Sequence, residues 1–155
     1  MAQTIIFQVY YLGNCGCGEK EIIRKIELKD TYTLDDLHNA IILKAFKWDD
    51  PHMYSFFMDN KPYSQNRKME YSCNPEPDVF DDAKPNSTDV KLKDLNLKKN
   101  QKFLFVFDFG DNHHFGIKVL EFGGVESGKK YPVILEEKGE APEQYPECDE
   151  EEGEE

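Results

Sequence analysis

Arginine is nearly missing from this 155-residue chain: only Arg24 and Arg67 stand among its 19 basic residues. Enzymes that grip a scissile phosphate rely on the bidentate guanidinium fork, which lysine does not reproduce. The composition therefore disfavours recombinase or nuclease chemistry. Base of any kind is short, since 31 acidic residues leave a net charge of −12. Nonspecific attraction to a phosphate backbone needs dense Lys and Arg, so a protein partner is expected ahead of nucleic acid. No apolar run approaches the ~20 residues that span a bilayer, and no membrane is expected. The apolar start "TIIFQVYYL" has no basic region before it and is interrupted by Gln8, so it reads as a strand and not as an export signal. Without such a signal the four cysteines are expected as reduced thiols in the cytoplasm. The pair "CGC" at 15–17 is not the C-x-x-C of zinc ribbons or thioredoxin-like motifs, and Cys73 and Cys148 lie in distant segments. Nucleophile-elbow, P-loop, dinucleotide-glycine and serine-recombinase patterns are all missing, as is any internal repeat.

Aromatic residues are abundant instead: eleven Phe and eight Tyr point to a packed core. The length suits one domain, expected over residues 1–145. The last nine residues, "ECDEEEGEE", hold seven acids and no base. Such a run repels itself, so residues 146–155 are expected as a solvated, disordered tail.

Residues 4–12 are β-branched and aromatic and predict a strand. The glycine-rich "GNCGCG" then turns the chain into a second strand over 21–29, where Ile22, Ile26 and Leu28 share one face. Thr33 and Asp36 have capping-box spacing. Leu34, Leu37, Ile41 and Ala45 follow at the spacing of one buried helical stripe. The spacing predicts a helix over about 33–47, with His38 beside the stripe in a packing or surface role. A third strand is expected over 53–58, a turn at "DNKPY", and a long polar surface excursion over 64–88. Leu92, Leu95 and Leu97 predict a short turn. Phe103, Phe105, Phe107 and Phe109 alternate along a strand over 102–109, whose partner is expected over 115–122, and "YPVIL" at 131–135 adds a last strand. Many strands and one helix predict an α+β fold: a curved, mainly antiparallel sheet packed on one principal helix.

The stretch "FVFDFGDNHHFG", residues 105–116, sets acids and imidazoles among aromatics. "GDNHH" reads as a hairpin connection, with Gly110 or Asn112 able to take positive φ. The same segment offers chemistry. Asp108, Asp111, His113 and His114, with Asp49, Asp50 and His52 from "WDDPH", could hold a metal or form a general acid–base pair. No spacing matches a known metal motif, and neighbours such as His113 and His114 would point to opposite faces in a strand. Residues Trp48, Asp49, His52, Asp108, Asp111 and His113 are thus the candidate polar cluster. It reads either as a ligand site or as a structural staple in which an aspartate or backbone carbonyl from 108–112 takes the His52 ring N–H. No catalytic role, metal or cofactor is assigned.

In order, "TLDDLHNAI", "WDDPHMYSF", "LKDL", "FDFGD" and "YPVIL" resemble the plasmid pRiA4b ORF-3-like family over about residues 4–145. The resemblance implies an α+β domain without an established biochemical function, carried as a passenger, resolvase-like element of some insertion sequences. Members commonly have a Trp and then a His where this chain has His113 and Phe115, a second His where it has Tyr54, and cysteines near the C-terminus that are missing around 134–141. Activities that need those side chains do not carry over. The functional expectation is a non-enzymatic binding or interaction module of a mobile-element-associated family. Two alternatives stay open: a metal-assisted hydrolase centred on His52 and Asp111, and a nucleic-acid accessory protein.

Overall fold

The hairpin expected at the start of the chain forms, with β1 (Gln3–Gly13) antiparallel to β2 (Ile23–Lys29) and Phe7 opposite Ile26. The computed structural model describes residues 3–13, 22–48, 53–61, 66–73, 85–108 and 112–140. Residues 14–18 of the "GNCGCG" turn, Asp49, Asp50, His52, Phe109, Gly110, Asp111, Cys148 and the acidic tail lie outside them. The remaining strands are β3 (Tyr54–Phe57), β4 (Glu70–Ser72), β5 (Asn86–Ser87), β6 (Lys102–Phe107), β7 (His113–Gly124) and β8 (Val133–Lys138). Together they make one eight-stranded sheet in the order β5-β4-β3-β6-β7-β1-β2-β8. All pairs are antiparallel except β4 with β5. The fold is α+β, an open curved sheet against one helix.

The helix begins as expected. Thr33 caps it, and Thr33 and Asp36 exchange side-chain and backbone bonds in a complete capping box. Leu34, Leu37, Ile41 and Ala45 are all buried. An α-helix running to residue 47 is not what forms. Helix α1 (Leu34–Asn39) widens into a π-helical segment, Ala40–Ala45, in which Phe46 N–H donates to the Ile41 carbonyl at 2.9 Å. The buried set here, Ala40, Ile41, Ile42, Ala45 and Phe46, is wider than one α stripe. Wider turns present more of the helix circumference to the sheet and turn Phe46 and Trp48 into the core. Buried Arg24 secures the end of this segment. Its guanidinium donates to the carbonyls of Ala45, Ile23 and Lys138 and lies 5.1 Å from the Phe46 ring centre.

Two other sequence expectations need correction. The segment 64–88 is not only a surface excursion: its described parts supply a 3₁₀ turn (Arg67–Met69), β4 and β5. "EYS" is too short and polar to show period-two alternation, yet Ser55 Oγ donates to Glu70 Oε2 at 2.9 Å and both residues are buried. His113 and His114 are likewise not part of the turn but the first two residues of β7. Before them, Asp108 and Asn112 both take positive φ, 63° and 59°, as short polar side chains tolerate.

Candidate functional site

Three of the six expected cluster residues are described. His113 leans toward the helix side of the sheet and is 1% exposed. Its ring centre is 4.6 Å from that of Trp48, and its Nδ1 is hydrogen-bonded to the Tyr11 hydroxyl at 2.9 Å. Tyr11 also packs against it, and Trp48, Tyr11, Phe46 and Phe115 pack on one another, with ring separations of 5.1–5.9 Å. Asp108 follows Phe107, whose ring lies 6.5 Å from Trp48, and its N–H donates to the Met53 carbonyl at 2.8 Å. That bond ties the end of β6 to the start of β3. The structure thus brings Trp48 and His113 into contact; the expected His52–Asp111 pairing involves residues outside the described set. His114 points to the opposite face, as strand alternation requires, and its Nε2 donates to Asn112 Oδ1 at 3.1 Å. Burial first, and the neighbouring His113 second, hold its pKa below the usual histidine value.

A second polar nest was not anticipated. Asp35 Oδ1 accepts from the Tyr54 hydroxyl and from Thr88 Oγ1, each at 2.5 Å. His38 lies flat on the Tyr54 ring, centres 3.7 Å apart and planes 8° from parallel. Tyr54 N–H donates to Cys73 Sγ at 3.3 Å. Three distant segments meet because the first turn of α1 docks on residues 88–92, through Leu34 N–H to Val90 O and Asp35 N–H to Thr88 O. Burial, and then the Asp35 hydrogen bond, raise the Tyr54 pKa well above the usual tyrosine range. Tyr54 therefore stays protonated and acts as a donor to Asp35, not as a base. The one available sequence signal was Tyr54 itself, which stands where family members often carry a histidine. Among the described residues no group of three His, Cys, Asp or Glu side chains is placed to hold a metal ion, and no helix is long and apolar enough to cross a membrane.

The face turned away from the helix is built differently. Directly opposed residues of neighbouring antiparallel strands share a face, and one such row runs Lys102, Lys118, Gln8, Lys25, Glu136 across β6, β7, β1, β2 and β8. Lys25 is paired with Glu136 at 3.1 Å. Lys102 and Lys118 face one another, and among the described residues neither has a carboxylate partner. Opposed like charges disfavour the sheet. Beside them lies a cavity of about 110 Å³ lined also by Tyr10, Leu12, Asn60 and Gly116. A Cβ at residue 116 would stand 3.3 Å from Leu12 Cδ1, so glycine there lets Leu12 lie across the strand.

Comparison with known proteins agrees with this architecture. The crystal structure of a protein of unknown function, MM3350 from Methanosarcina mazei Go1, superposes with a TM-score of 0.70 at 23% identity, over 92% of this chain and 72% of that one. At that identity the likeness is one of fold. No curated protein matches the chain. The family model of the plasmid pRiA4b ORF-3-like protein matches residues 17–150, and the chain belongs to that family.

Proposed function

We propose that this domain is a cytoplasmic, non-enzymatic binding module of a mobile-element-associated family, and that it takes a protein partner on the sheet face turned away from the helix. The observation that carries the reading is the opposed pair Lys102 and Lys118 at the rim of the open-face cavity. A like-charge pair costs stability in the free protein, and an anionic group from a partner would offset that cost. The net charge of −12 repels a polyanion, which favours protein over nucleic acid. The helix-side polar groups support a structural role: Asp35 is engaged by two hydroxyl donors, and the buried His113 ring packs on Trp48 and Tyr11.

Lysine footprinting tests this. Acetylation rates at individual lysines are measured with and without a pool of random nonapeptides. Protection of Lys102 and Lys118, no change at Lys25, and peptides recovered intact are expected. Cleaved or modified peptides, or protection that spares both open-face lysines, would contradict the reading.

A further inference from the structure

We infer that the open-face cavity receives a single carboxylate on a short apolar stem, namely one glutamate side chain of the partner; this rests on the binding reading above. Among the described residues, the two ammonium groups are the only cationic groups lining the cavity. They are compact, strongly hydrated charges with rotatable donors, and among the described lining residues there is no arginine fork to match a phosphate. Each can donate to one carboxylate oxygen, while Tyr10 and Asn60 add polar groups at the rim. Leu12 and the side-chain-free surface of Gly116 supply an apolar wall for the stem.

Size limits the guest. A cavity of about 110 Å³ is smaller than the ~150 Å³ space that takes a benzene-sized molecule. A nucleotide is therefore too large, whereas the two methylenes and carboxylate of glutamate fit. Charge limits it as well. Along the same cross-strand row Lys25 is already matched by Glu136, so among the described residues the site presents two positive charges without a carboxylate partner and not an extended basic track. Such an arrangement suits one localised anion.

The test titrates the full chain with the end-capped pentapeptide Gly-Leu-Glu-Leu-Gly and with its Gln counterpart, following backbone amide signals. The Glu peptide is expected to shift Gln8, Lys102, Gly116 and Lys118 saturably, with at least tenfold weaker binding by the Gln peptide and by the double variant Lys102→Gln, Lys118→Gln. Equal binding of the two peptides on the open face overturns the carboxylate assignment while leaving a binding face in place. Shifts from neither peptide, or shifts confined to the helix side, overturn the inference; the footprinting experiment then decides separately whether the face binds at all.

Discussion

On the side of the sheet that meets the helix, Phe7, Phe103, Phe105, Phe107 and Phe115 are fully buried, Asp35, Tyr54, Thr88 and His113 are hydrogen-bonded within the protein, and His38 is stacked on Tyr54. On the other side, the central row carries two opposed lysines beside a cavity. The first face is organised to exclude water and hold polar groups in fixed partnerships. The second has a smaller buried cluster, Phe57, Leu104 and Val106, beside two lysines that have no carboxylate partner among the described residues. A protein optimised only for stability would have placed opposite charges, or a β-branched pair, at 102 and 118. On the binding reading proposed above, the contrast separates residues that maintain the domain from residues available to a ligand, and that reading puts His113, conspicuous in the sequence, with the former.

The largest effect is expected in the sealed face. Phe105 stacks on Phe56 at 4.5 Å and lies 5.4 Å from Phe115 and 5.9 Å from Tyr54. Phe105→Ala should lower the unfolding free energy by roughly 3–5 kcal/mol, read from urea denaturation, while footprints on surviving folded protein at Lys102 and Lys118 stay as in the parent. A loss below about 1 kcal/mol would mean that the aromatic layer is not the core.

A smaller effect concerns the Asp35–Tyr54–Thr88 nest. The Tyr54 pKa is raised in the folded state, so folding favours the protonated phenol. That contribution is fully present below the unfolded tyrosine value of about 10 and is lost as pH rises beyond it, because the unfolded chain then ionises first. Stability should fall between about pH 9.5 and 11.5, and Tyr54→Phe should fall less steeply over the same window. Parallel curves for the two proteins would remove Tyr54 from the account.

Much of the sealed face was legible in the sequence. The Phe103–Phe105–Phe107 alternation and the Leu34–Leu37–Ile41–Ala45 stripe are local periodicities, and local periodicity is what a sequence displays. The capping box at Thr33 and Asp36 was legible for the same reason. The π-helical segment was not, because its width answers to the sheet opposite it. Strand β4 escaped notice because three polar residues carry no period. Asp35, Tyr54 and Thr88 were missed because their meeting depends on how α1 docks on residues 88–92. The open-face lysines were hidden by register: Lys102 and Lys118 are unremarkable singly, and only strand pairing sets them face to face.

The claim that the open face carries charge the fold does not need is tested most directly by the melting temperature of Lys102→Glu at low ionic strength. Turning an opposed like pair into an opposite pair should stabilise by roughly 0.2–1 kcal/mol. For a domain of this size that is a rise of up to about 4 °C, fading when salt is added. A melting temperature that falls would show that Lys102 already has a stabilising role in the free protein, and would contradict the account.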